Sequence, residues 1–340
     1  MAYDVSVKID LAKPLGKIGF GIPLLLVENA TQAVEYTEIS KVQEVVEVGF
    51  ESGSDIYKAA ALIFDQDGAP KKVAVCAVTT TAVQALEDPK LVSKGWRQLI
   101  VINGGEAEAA SIVKTVAEAV ELLKDKMYFV NLETSENAPI DTTAATNLDH
   151  TVLFFCNKTE DVPVPVAALV GEVAGREVGS FTYKNLILAG IAPQDLTDLE
   201  IEAIHKKGGL TFVTKAGDNV TTEGKAVSGE FIDIIDSEDY IIQQLTFKTQ
   251  RLLNRSPKVA YTNNGIAMLE SVAVDVLQTA FNNGMIATKE DGGADFTVTY
   301  ALREDTSEDD RYARQYPYGS FRFALAGAIH HVEIEGTITA

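Results

Sequence analysis

Cysteine is almost missing from this 340-residue chain. Its two residues, Cys76 and Cys156, each sit inside an apolar run, Val73-Ala-Val-Cys-Ala-Val78 and Val152-Leu-Phe-Phe-Cys156. That usage argues against a disulfide framework and predicts two buried free thiols acting as small hydrophobes. Histidine is nearly as scarce: His150, His205, His330 and His331. The last two are adjacent in a strand-like stretch, so they point to opposite faces and cannot chelate one metal together. No H-E-x-x-H, no cysteine pair at metal-ligand spacing and no G-x-S-x-G is present, which leaves metal and nucleophile chemistry without a motif. No stretch approaches the roughly 20 apolar residues that span a bilayer. Asp4, Lys8 and Asp10 interrupt any apolar leader, so no signal peptide is expected and synthesis in a reducing cytoplasm is. Positive charge is also short: 29 Lys+Arg against 49 Asp+Glu give a formal net charge of -20. Such a field repels nucleic acid, and no basic patch interleaved with aromatics offsets it. The acidic excess serves solubility.

The chain has what a folded protein needs, with 46% hydrophobic and 23% charged residues. Its length predicts two or more domains. Compact apolar runs at 22–27, 72–78, 98–102, 127–131 and 151–156 read as strands. Helical patterns separate them at 54–64, with Ser54 as N-cap, at 106–126 and at 166–178; 42–48 reads as helix or strand. Ile112, Val116, Ala119 and Leu123 form the expected core stripe of the 106–126 helix. Strands without alternation imply a sheet covered on both faces, so 23–185 is expected to be a doubly wound α/β domain. Residues 186–320 change character. A helix capped by Thr197 and Glu200 is followed by hairpin strands at 210–214 and 225–228 around Gly217-Asp-Asn219, helices at 237–254 and 265–283, and strands at 295–302 and 321–339. This half is expected to be α+β.

Both ends are strand-like. Val5, Val7 and Ile9 alternate with polar residues, as do Val332, Ile334, Gly336 and Ile338. A terminal strand needs a partner to stay ordered, so 1–22 and 321–340 are expected to be extended arms that add strands to neighbours.

Asn103-Gly-Gly105 stands where a phosphate loop would, between a strand and a helix. It lacks both the G-x-G-x-x-G spacing and a Lys-Ser/Thr, and Glu106 and Glu108 already satisfy the helix dipole. A tight turn is the preferred reading; a cytoplasmic Rossmann-like nucleotide-binding enzyme is the alternative. Asp65, Asp67 and Gly68 open like a calcium loop, but Ala69-Pro70 breaks it. The acidic run at 304–310 reads as a solvated face.

Four segments resemble one family. They are Ser54-Asp-Ile-Tyr-Lys-Ala-Ala-Ala-Leu-Ile-Phe64 followed by Pro70-Lys-Lys-Val-Ala-Val75; Leu196-Thr-Asp-Leu-Glu200 with Gly208-Gly-Leu210; Gly229-Glu-Phe-Ile-Asp-Ile-Ile-Asp236 with Asp239-Tyr240, Tyr261-Thr262 and Gly265-Ile266; and Arg311-Tyr-Ala-Arg-Gln-Tyr-Pro317 with Ala326-Gly-Ala-Ile-His330. In this order they resemble the sheath subunits of contractile phage tails and phage-tail-like particles, over roughly 54–340 and most strongly after 190. The resemblance implies a non-enzymatic structural subunit without cofactor. It would assemble in the bacterial cytoplasm into stacked six-fold rings around an inner tail tube, with baseplate and tail terminator at the ends and no direct contact with nucleic acid or membrane. It also implies that Val5, Val7, Ile9, Val332, Ile334 and Ile338 lie in donated strands, with Gly16, Gly19, Gly21 and Gly319 as hinges. A helix over 307–316 would face the tube, Arg311 and Arg314 projecting from one face; an ordinary surface helix with Glu308 and Asp310 pairs is the alternative.

Overall fold

A computed structural model of the chain describes residues 21–102, 110–134 and 147–330. Val5, Val7, Ile9, Gly16, Gly19, the Asn103–Gly105 turn, Val332, Ile334 and Ile338 lie outside the described residues.

Eight strands form one sheet: β1 (Leu24–Val27), β2 (Val34–Ile39), β3 (Val73–Ala77), β4 (Gln98–Ile102), β5 (Met127–Leu132), β6 (Thr151–Phe155), β7 (Gly209–Lys215) and β8 (Asp218–Thr221). Their order is β2-β3-β1-β4-β5-β6-β7-β8. The six central strands are parallel, and β2 and β8 pair antiparallel at the edges. The helices of this half are α1 (Glu44–Glu47), α2 (Asp55–Phe64), α3 (Ala82–Leu86), α4 (Pro89–Val92), α5 (Ala110–Glu121), α6 (Val166–Ala174) and α7 (Asp198–Lys206).

Apolar residues of the central strands point alternately to the two faces, and a core lies on each. Leu25, Val75, Ile100, Phe129 and Phe154 meet α2 and α6 on one side. Leu24, Leu26, Leu99, Tyr128, Val130 and Phe155 meet α3 and α5 on the other. Every residue of α6 is buried. Gly171 permits that depth, because a Cβ there would stand 2.7 Å from both Cα and carbonyl oxygen of Ile63 on α2. Backbone cannot yield as a side chain does. Gly171→Val is therefore expected to wedge the two helices apart at about 1–3 kcal/mol or more, measured as a lower urea midpoint.

The two thiols are buried and free, one in each core. Burial pushes Cys76 up to about 11 and, with Glu133 nearby, Cys156 up to about 12, so neither is a thiolate at neutral pH.

Three expectations change. In α5 the buried stripe is Val113, Val116, Ala117 and Val120, and Ile112 is 38% exposed. The hairpin turns at Ala216 (φ 52°) and Gly217 (φ 95°), the left-handed pair that a two-residue hairpin requires. Its return strand is therefore β8, and 225–228 supplies only an isolated bridge from Lys225 to Phe231. That hairpin also continues the large sheet, since β7 lies parallel to β6; the sheet runs past residue 185 rather than stopping there.

The rest is built on α8 (Ile232–Arg255) and α9 (Asn263–Asn282), which pack together. They carry a separate antiparallel pair, β9 (Phe296–Tyr300) and β10 (Gly319–Phe323). Between these strands the chain makes a 3-10 turn (Arg303–Asp305) and α10 (Glu308–Ala313). A third core of Ile241, Leu245, Ala273, Val276, Leu277, Ala280, Met285 and Ile286 joins them.

Candidate functional site

Among the described residues no group of three or more His, Cys, Asp or Glu could hold a metal ion. The densest charge cluster is a buried network at the amino ends of the parallel strands. Arg97, Lys126 and His150 each immediately precede a strand, β4, β5 and β6, and these are neighbours in the sheet. Arg97 donates from Nη2 to Asp236 at 2.7 Å and its Nη1 stands 2.7 Å from Asp239, both on α8, with its side chain 1% exposed. His150 lies between two carboxylates: Nε2 is 3.0 Å from Asp239 and Nδ1 is 3.0 Å from Glu121 at the end of α5. An imidazole with an acceptor on each nitrogen donates twice and is therefore the cation. Burial opposes that charge, yet the bonds and charges of Asp239 and Glu121 outweigh it and raise His150 to about 9. Burial likewise opposes ionisation of Glu121, but the His150 contacts hold it down at about 2. Tyr183 completes the network, its hydroxyl donating to Asp236 at 2.8 Å. Parallel sheets bind ligands at the carboxyl ends of their strands. At the opposite end, and with its cations already paired, this network fastens α8 to the sheet.

The second candidate is the β9–β10 pair. Ala301 N donates to Tyr318 O and Ala324 N to Asp295 O. With Gly319 opposite Tyr300 and Phe323 opposite Phe296, these bonds fix which residues face each other across the ladder. Phe296, Val298 and Tyr300 on β9 and Gly319, Phe321 and Phe323 on β10 fall in the non-bonded pairs, so their backbone N–H and C=O groups point outward. No third strand covers either edge among the described residues. The side chains of Phe296, Val298, Tyr300, Phe321 and Phe323 share the face packed on the third core, yet all remain only half-buried. A two-stranded ribbon is marginal by itself; two flanking strands would satisfy the edges and cover the aromatics.

Gly319, expected as a hinge, begins β10. A Cβ there would lie 2.7 Å from the Tyr300 ring, so glycine seats that ring. Gly21, at φ +104°, is the first described residue. The excursion between the strands is anchored by tyrosines: Tyr316 donates to Ala301 O at 2.7 Å, and Tyr318 bonds Asp310 and accepts from Ser307 N. α10 spans less than the expected 307–316, and Ser307 caps it through Asp310 N. Arg311 bends back, Nη1 donating to Arg303 O at 3.1 Å and to Thr306 O. Arg314 is the C-cap, left-handed at φ 57°, and exposed. Arg311 is thus engaged with the loop backbone, and its Nη2 also lies 3.7 Å from Glu308 as the surface-helix alternative expects. Tyr312, 93% exposed, was not singled out by the sequence; an aromatic in an otherwise polar helix was the available signal.

The chain leaves this ribbon by a defined route. His330 Nε2 is 3.0 Å from Thr182 Oγ1, its carbonyl accepts from Lys184, and its ring meets Phe231 edge-on at 4.8 Å.

Residues 232–338 match the family model described as E217 tail sheath protein gp31-like, C-terminal domain, and the match begins at the first residue of α8. Among solved structures, a chain of the anti-feeding prophage baseplate superposes with TM-score 0.71 at 11% identity, over 99% of this chain and 98% of that one. The contracted helical sheath of the anti-feeding prophage gives 0.70 at 11%, covering 98% of each chain. The chain has the fold of that sheath protein. The sheath tail protein of Listeria innocua shares the sheath fold more distantly, with TM-score 0.54 at 11% identity over 83% of this chain and 89% of that one. No curated protein sequence matches significantly.

Proposed function

We propose that this chain is the structural subunit of a contractile tail sheath in a phage or phage-tail-like particle. The observation that carries it is the open β9–β10 ribbon, set within the segment that matches a tail sheath family and with both edges unpaired among the described residues. Strands around Val5, Val7 and Ile9 from one copy and Val332, Ile334 and Ile338 from another complete that ribbon in a third. Such joints take affinity from backbone hydrogen bonds. They are heterologous and do not close, so they generate a helical polymer of stacked six-fold rings. Gly16, Gly19 and Gly21 form the bendable stretch that lets subunits rotate on contraction while the joint persists. The inner tail tube lies against the α10 excursion. There Arg314 and Tyr312 make the contact and Arg311 shapes the loop; such surface contacts are worth about 0–1 kcal/mol each, weak enough to break. Baseplate and terminator complete the ends, and assembly takes place in the host bacterial cytoplasm. The role is structural rather than catalytic.

Electron microscopy of the purified chain tests this. Full-length protein is expected to form long hollow helical polymers, and protein lacking residues 332–340 none. Small closed particles from the full-length chain, or polymers that persist after the deletion, would contradict it.

A further inference from the structure

A chain of net charge -20 repels its own copies, and strand donation through backbone bonds does nothing to offset that. The positive charge is not spread evenly. Residues 240–269 contain Lys248, Arg251, Arg255 and Lys258 and no Asp or Glu at all. On α8 the first three fall at spacings of three and four, which places them on one helical face. Arg251, Arg255 and Lys258 are exposed; Lys248 is paired with Asp275 at 2.7 Å. Complementing the helix dipole accounts for the last turn alone.

A matching surface lies on α7, in the other half of the molecule. Asp198 and Glu202 are exposed there at i and i+4, with Leu199 beside them 78% exposed. Glu200 is already engaged in the capping box with Thr197, and Glu202 has only a 3.7 Å pair with Lys206, itself exposed. Arg251 and Arg255 repeat the Asp198–Glu202 spacing, so two parallel pairs can form at once. The aliphatic arginine stems and half-buried Leu252 and Leu253 offer Leu199 an apolar floor.

We propose that the acid-free face of α8 docks on the acidic, Leu199-bearing face of α7 in a second copy of this chain. This contact is lateral, electrostatic and distinct from the strand joints. It rests on the reading of the chain as a homopolymer subunit, and because it joins different patches it is heterologous, as the strand joints are.

Two measurements test it with the full-length chain. In the first, R255C protein is mixed with D198C protein and oxidised; a disulfide-linked heterodimer is expected in excess over either homodimer. Absence of the heterodimer overturns the proposal, whether or not the wild-type chain polymerises. If it forms while wild-type protein yields no polymer, the docking stands and the sheath reading falls. In the second, R251E/R255E and D198K/E202K proteins, checked as folded by circular dichroism, are each expected to need about tenfold more protein to associate at low salt, the combined variant recovering the wild-type value. Unchanged association in both, no recovery in the combination, or loss only of binding to a different protein overturns it.

Discussion

Arg97→Met is expected to lower the stability of this protein by about 3–5 kcal/mol, the cost of breaking a buried ion pair by removing one partner. The guanidinium neutralises Asp236 and Asp239 at once, with its side chain 1% exposed. Methionine refills the volume but leaves Asp236 with only the Tyr183 hydroxyl and Asp239 with only His150. Burial works against the Arg97 charge, and the two aspartates more than offset it, so the penalty falls on the carboxylates left behind. The urea midpoint should drop with little change in slope. The control is Lys72→Met, which removes an exposed pair with Glu38 at 2.8 Å and should cost only about 0–1 kcal/mol. A loss as small for Arg97 would show that the network does not fasten α8 to the sheet. Because α8 carries the third core and the β9–β10 ribbon, the same variant should also assemble poorly.

His150 makes stability depend on pH in a defined direction. Its folded value of about 9 lies above the ordinary 6.5. The stabilisation is thus fully present below pH 6.5 and lost as pH rises through 9; the shift corresponds to roughly 3 kcal/mol. The groups facing the ring are Glu121 on α5 and Asp239 on α8, and Arg97 ahead of β4 shares Asp239 with it. Glu121 works in the opposite range. Held at about 2 against an ordinary 4.5, it contributes above pH 4.5 and is lost as pH falls toward 2. Both limbs report largely one pair, so they are not additive. The melting temperature should fall between pH 6.5 and 9, and His150→Gln should flatten that limb. An equal alkaline fall in the variant would refute the assignment.

The parallel strands were legible because each is a short apolar run bounded by polar residues; 98–102 was placed to the residue. The capping box of Thr197 and Glu200 was equally plain, being local chemistry. β2 was not legible: Val34-Glu-Tyr-Thr-Glu-Ile39 is an antiparallel edge strand with one half-open face, so it lacks the buried-strand signature. In α5 two apolar stripes overlap through Val116, and only the position of the sheet decides between Ile112 and Val113. The residues of β7 read as a hairpin strand of the second half, with the return strand at 225–228 rather than at β8, because the signal there is local turn chemistry; the parallel partner β6 lies more than fifty residues earlier and leaves no local trace. The network joins Arg97 to Asp236 across 139 residues, beyond any periodicity. Its faint local sign was one cation at the mouth of each of three adjacent strands.

Residue-resolved hydrogen exchange on the β9–β10 ribbon tests the strand-donation account most directly. In the assembled full-length chain the outward amides of Phe296, Val298, Tyr300, Gly319, Phe321 and Phe323 should be protected. Protein lacking residues 332–340 should not assemble, so the outward amides along both edges should exchange fast. The inward amides of Thr297, Thr299, Ser320 and Arg322, bonded within the ribbon, should stay slow in both. Equal exchange at the outward amides in the two proteins would contradict it.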